Sequence, residues 1–218
     1  MISKLVTAPV ATPVSVSELK EFLRIDNNTE DTLLERLLKA AVKRLEAEAK
    51  VKFVSQVWDI FYDSWPASDG CSKAPWWDGT RDGPITMLSN SKARKIELPF
   101  GPTIAVTNVS CYADADDAET VMSASEYSVD LISMRGRIAL RYGSLWPSVV
   151  MRPLNGVRVR ATVGFGAAAD VPEELKQAVL ITAVKLYENR GDVADDNFTI
   201  PNTALALLNQ YAGCMFGN

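Results

Sequence analysis

The 218-residue chain contains no histidine. That removes the side chain most often used as a general base, the commonest metal ligand, and both the Ser-His and Cys-His nucleophile pairs. Carboxylate or lysine chemistry stays open. Cysteine is scarce: Cys71, Cys111 and Cys214 are scattered and odd in number. They predict neither a disulfide framework nor a cysteine zinc site, and they fit a reducing, intracellular origin. No uninterrupted apolar run approaches the length of a membrane-spanning helix, so no span is expected. The N-terminal residues MISKLVTAPVATPVSVSELK lack the long apolar segment of a signal peptide. Cations are not in excess either: 23 Lys and Arg stand against 27 Asp and Glu, a net charge of −4. Grip on nucleic acid comes from neutralising phosphates, and this balance argues against it.

What is present is ordinary for a folded chain, with 47% hydrophobic and 23% charged residues, enough for one large domain or two small ones. One stretch organises the rest, from Asn155 to Gly191. Val157 to Val163 alternates apolar residues with Arg158 and Arg160, which predicts a strand. A Gly/Ala-rich hinge follows. Pro172-Glu173-Glu174 then opens a helix running to about Arg190, with proline in the first turn and acids at the positive end of the helix dipole. Gly191 marks a left-handed stop. From Ala178 to Val184 this helix is apolar almost all round. A surface helix shows one stripe, so this one predicts neighbours on more than one side.

The remaining elements follow in order. Residues 1–14 read as extended, held out of helix by Pro9 and Pro13. Ser15-Val16-Ser17-Glu18 is a capping box for a short helix carrying Leu19, Phe22 and Leu23. A second helix starts near Thr29, with a stripe of Leu33, Leu34, Leu37, Leu38, Ala41, Leu45 and Ala49. Glu35 with Lys39 and Glu46 with Lys50 read as ion pairs on its solvated face. Phe53 to Trp65 is aromatic and β-branched, a strand pattern. Residues 66–95 form a long aperiodic connection holding Trp76-Trp77, a candidate partner anchor. Strands are expected at Lys95–Leu98, Thr107–Tyr112, Tyr127–Leu131, Arg137–Tyr142 and Val157–Val163, separated by turn residues. The tail after Asp192 carries a short helix with Leu205, Leu208 and Tyr211, then Met215 and Phe216.

The fold class these elements predict is α+β: a helical core from the N- and C-terminal helices with an inserted antiparallel β-subdomain. The expected division is residues 1–52 (extended segment and helices), 53–165 (β-subdomain with loop 66–95), 166–191 (core helix) and 192–218 (tail).

No motif reaches a catalytic assignment. Asp114, Asp116 and Asp117 lack the glycine turn and the offset bidentate acid of a calcium loop, and read as a solvated turn. Gly164-Phe165-Gly166 lacks both the third glycine of a dinucleotide loop and the Lys-Ser/Thr of a P-loop. Glu173 and Glu174 are accounted for by helix-end electrostatics. Arg158 and Arg160 on one strand face suggest an edge or subunit contact as readily as a nucleic-acid contact. No cofactor and no metal are expected.

The order of several short motifs carries more information than any one alone. Residues 13–26 (PVSVSELKEFLRID) precede the LLERLLKAAVKRLE helix. Gln56-Val57-Trp58, Trp65-Pro66, Ile96-Glu97-Leu98-Pro99, Tyr127-Ser128-Val129-Asp130, Trp146-Pro147 and Asn155 to Val159 follow. Gly164-Phe165-Gly166, Val171-Pro172 and Leu186 to Gly191 complete the series. From about residue 9 to 191 this series resembles the head–tail connector (adaptor) proteins of tailed bacteriophages and gene transfer agents. Loop 66–95 departs from that pattern, since relatives pass more directly from Trp-Pro to Leu-Pro.

The resemblance implies a non-enzymatic virion protein, made in the host bacterial cytoplasm and placed in the virion neck. It implies a homo-oligomeric ring, expected as a dodecamer, beneath the portal protein, with a tail-side stopper or tail completion protein below. Double-stranded DNA would pass through the lumen without sequence-specific binding, which an acidic chain suits; no membrane is involved. On this reading the interface residues are Trp76, Trp77, Val179, Tyr187, Leu205, Leu208, Tyr211, Met215 and Phe216. Two other readings stand beside it: a small carboxylate-dependent enzyme built on Asp114, Asp117 and Glu173, and a binding module anchored by Trp76-Trp77.

Overall fold

Ser15 and Glu18 start the first helix as their spacing predicts. In the computed structural model, which describes residues 1–66, 95–114, 116–189 and 200–212, the Ser15 hydroxyl accepts from the Glu18 N–H at 3.2 Å. The Glu18 carboxylate accepts from the Ser15 N–H at 2.6 Å. These bonds hold the Glu18 carboxyl below its usual range, the backbone bond from Ser15 most strongly. The helix, α1 (Val16–Leu23), ends at Arg24 in a left-handed conformation. Lys20 bridges to Asp31 at 2.9 Å, the first residue of α2 (Asp31–Ala49).

The chain divides into two units. The helical unit comprises Thr7–Gln56, Phe100–Ile104 and Val163–Asn218. It holds α1, α2, α3 (Glu173–Glu188) and α4 (Asn202–Ala212). The α2 stripe buries Leu34, Leu38, Ala41, Leu45 and Ala49, while Leu33 and Leu37 lie half-buried at its margin. It packs on α3, and α3 packs on α4. Leu175, Ala178, Val179 and Ala183 of α3 join Val14, Leu19, Phe53, Ala204 and Leu208 in one core. Each large side chain removed from water there stabilises the fold by roughly 1.5–3 kcal/mol. Leu180, Ile181, Val184, Leu186 and Tyr187 are half-buried around the same helix. The apolar excess of α3 is therefore real, and α2 and α4 cover much of it. The N- and C-terminal helices pack together, as expected.

The β unit comprises Met1–Val6, Val57–Pro99 and Ala105–Thr162. Its strands are β1 (Ile2–Thr7), β2 (Gln56–Tyr62), β3 (Lys95–Glu97), β4 (Thr103–Tyr112), β5 (Glu119–Val121), β6 (Tyr127–Asp130), β7 (Arg137–Leu140) and β8 (Val157–Val163). A few terminal residues of β1, β2, β4 and β8 count with the helical unit. They form two antiparallel sheets, one ordered β1-β2-β8-β4-β5 and one ordered β3-β7-β6. In the smaller sheet Val129 faces Ile138, and Ile138 faces Ile96. Along β8, Val157, Val159, Ala161 and Val163 are buried while Arg158, Arg160 and Thr162 alternate with them on the other face.

The N-terminus is extended as expected, with Ile2–Thr7 paired as a strand. Three local expectations change. The strand expected from Phe53 starts at Gln56, because Phe53 and Val54 turn into the helical core. β4 begins four residues before the expected Thr107, and the short β5 lies where only a turn was expected to end. Glu46 is not on a wet face paired with Lys50. Lys50 adopts a left-handed conformation that ends α2, and Glu46 is 7% exposed and takes Lys52 at 3.1 Å instead.

Candidate functional site

The last turn of α2 brings a carboxylate under the chain that leaves the helix. Glu46 accepts from the Phe53 N–H at 3.0 Å and from Gln56 Nε2 at 3.2 Å, besides Lys52. A buried carboxylate needs such partners to stay charged. This anchor fixes where the polypeptide departs from the helices.

The return path is fixed as firmly. Gly164 N–H donates to Pro102 O at 2.8 Å, Phe165 N–H to Phe53 O at 2.9 Å, and Ser55 N–H to Gly166 O at 2.8 Å. Gly164 has φ +126, and a Cβ there would stand 2.6 Å from the backbone carbon and oxygen of Val54. The stretch expected to be a flexible hinge is thus a pinned backbone crossing. Its glycine is required by close approach rather than by mobility. Ala167 N–H caps onto Asp170, and Pro172 then opens α3.

The α3–α4 region carries the described members of the expected interface set. Val179 is 0% exposed and Leu208 1%, so both belong to the core of their own unit. Tyr187, Leu205 and Tyr211 are half-buried on its flank. The Tyr187 hydroxyl donates to Glu30 at 2.6 Å, tying α3 to the start of α2. The Tyr211 hydroxyl donates to Glu174 at 3.2 Å, and its ring meets Phe165 edge-on. Burial, then the neighbouring carboxylate, raises the Tyr211 phenol. Trp76, Trp77, Met215 and Phe216 lie outside the described residues, as does Gly191.

In the β unit Arg152, Arg158 and Arg160 are engaged by acids. Arg160 grips Asp59 through two hydrogen bonds of 2.7 Å. Arg158 pairs with Glu119, and its guanidinium lies 5.6 Å from the Tyr112 ring centre. Arg152 lies over the same ring at 4.2 Å and reaches Asp117 at 3.2 Å. Because β8 lies between β2 and β4, Arg158 and Arg160 are not on an edge strand. Periodicity placed them on one face, but their acidic partners lie 39 and 101 residues away in sequence. Trp65 and Trp146 stack 4.6 Å apart.

The acidic turn is exposed. Asp116 accepts from the Ala118 N–H, and Asp117 adopts a positive φ of 53. Asp114 and Asp117 belong to the β unit and Glu173 to the helical unit. Among the described residues no group of three or more acidic or cysteine side chains is placed to hold a metal ion.

The sequence profile of the phage gp6-like head-tail connector proteins matches residues 13–134, more than half of the chain. Solved structures agree with it in fold. A chain from the virion of a native gene transfer agent (GTA) particle is 25% identical, with a TM-score of 0.70. The two cover 97% and 95% of each other, this chain first. A chain from the neck of an empty GTA particle, computed with C6 symmetry, is 24% identical with a TM-score of 0.70 and the same coverage. A chain from the neck of a native GTA particle, computed with C12 symmetry, is 24% identical with a TM-score of 0.69, over 97% of this chain and 94% of that one. Curated protein sequences give no match. The class is therefore structural and non-enzymatic, a protein of the virion's head–tail interface. The chain belongs to the phage gp6-like head-tail connector family.

Proposed function

We propose that this connector assembles as a closed homo-oligomeric ring in the virion neck. The ring sits beneath the portal protein and carries a tail-side stopper or tail completion protein on its other side. Double-stranded DNA passes through its lumen without being read. The observation that carries this reading is the family match joined to similarity along 97% of the chain with neck proteins of GTA particles. Twelve copies would suit the C12 symmetry in which one of those necks was computed, and two copies per repeat would suit the C6 one.

The charge distribution supports a conduit. Net charge is −4, and Arg137, Arg152, Arg158 and Arg160 are each held by a carboxylate of their own chain. Cations engaged in this way contribute little to phosphate neutralisation, so DNA slides rather than sticks. Tyr187, Leu205 and Tyr211 on the flank of the core, and the tail residues Met215 and Phe216, are proposed to face neighbouring copies or the portal. Trp76 and Trp77 are proposed as a further anchor.

Mass measurement of the purified chain, alone and mixed with the portal protein from the same genome, tests the proposal. A discrete complex holding many copies per portal ring is expected. A chain that stays monomeric and ignores the portal would overturn it.

A further inference from the structure

We propose that the five-stranded sheet is one segment of a continuous belt, in which β1 of one copy pairs with the open edge of β4 in the next. The proposal rests on the ring reading and says how neighbouring copies join.

Two strands carry it. β1 ends the sheet, and all six of its residues are exposed, with Ile2 at 60%, Leu5 at 40% and Val6 at 45%. A strand with one neighbour and water on both faces gains little from packing, so the backbone ladder to β2 must offset the entropy of ordering it. At the opposite side of the sheet, β5 pairs only with Ser110, Cys111 and Tyr112, and Met122 N–H adds a bond to Val109 O. From Ile104 to Asn108, no described strand lies on that side of β4. Ile104, Ala105 and Thr107 are exposed there, on both faces of the strand. The stretch without a described neighbour and β1 are similar in length.

Edge strands are normally guarded by charges, prolines or bulges, because an unguarded edge recruits another strand. Lys4 is the one charged side chain on β1, and Ile104 to Asn108 carries none. The occupant these edges select is a second copy. Pairing β1 with β4 joins different surfaces head to tail, the kind of contact that forms a ring when the rotation from copy to copy closes. Pairing β1 with β1 would make an isolated dimer and leave both β4 edges open. β5 is a poorer acceptor, being three residues long with Glu119 already held by Arg158.

Crosslinking separates these arrangements. In a chain carrying Cys71→Ser and Cys214→Ser, Leu5→Cys and Ala105→Cys are introduced singly and together. Each protein is assembled with portal, weighed, and treated with a short bismaleimide. The expected result is a ladder of covalent multimers from the double variant only, and a single covalent dimer when the two single variants are mixed. Slow amide exchange of β1 in the assembly and fast exchange in the free chain should accompany it. A ring of normal mass without the ladder overturns the strand pairing and leaves the ring standing. Covalent dimers from Leu5→Cys alone overturn it in favour of β1–β1 pairing. Absence of any oligomer from the parent chain with portal overturns both readings.

Discussion

Arg160 and Asp59 lock two neighbouring strands of the larger sheet through paired bonds of 2.7 Å, with Asp59 only 6% exposed. The bond to Asp59 raises the Arg160 guanidinium still further, and burial opposes it. Asp59→Ala leaves that guanidinium without its principal acceptor. Because Arg160 is one-third exposed, water replaces part of the loss. A destabilisation of about 1–3 kcal/mol is expected in urea unfolding, with Asp59→Asn milder.

Glu46 should matter more than its place on a charged helix suggests. Glu46→Ala strips an acceptor from the Phe53 N–H, Gln56 and Lys52 together. A loss of about 2–4 kcal/mol is expected, since hydrogen bonds to a buried charge are the strong ones. Glu35→Ala, on an exposed i, i+4 pair of the same helix, should leave stability almost unchanged. Equal effects in thermal unfolding would contradict this distinction.

Glycine is needed at one position far more than at another. Gly164→Ala meets the Val54 backbone at 2.6 Å and requires φ +126. It should cost at least about 2 kcal/mol, or prevent folding. Gly143→Ala, also at positive φ but with nothing within 4 Å, should cost about 1 kcal/mol. Comparing soluble yield and melting temperature checks both.

Acid should loosen the β6–β7 hairpin step by step. Asp130 accepts from the Arg137 side chain, from the Ser133 hydroxyl and from the Ile132 N–H, and these hold its carboxyl far below the usual range. A depressed folded value means the contribution is present above the unfolded value, near pH 4, and is lost progressively as pH falls from there towards the much lower folded value. Amide exchange at Ile132 and Ser133 should quicken as pH falls below 4, after correction for intrinsic rates. In Asp130→Asn that excess should disappear.

Local rules made much of this fold legible. The Ser15–Glu18 box, the α2 stripe, the alternation of β8 and Pro172 at the start of α3 are short-range signals. Motif order also pointed to the family. What was hidden depends on partners distant in sequence. Nothing near Glu46 says that Lys50 will turn left-handed and that the carboxylate will be capped from residues 52–56. The alternation of β8 does not say that the strand is central, because its two edges are taken by β2 and β4, strands distant in sequence. Gly164 looked like a hinge because the sequence does not show the Val54 backbone beside it. For the interface, hydrophobicity alone marked Val179 and Leu208, and it does not distinguish an intramolecular core from a contact between copies.

The connector assignment meets its most direct test in particles from a host in which this gene is deleted. Electron microscopy should then show heads and tails made but not joined, with joining restored by the intact gene. Joined particles at normal yield in the deletion strain would contradict the account.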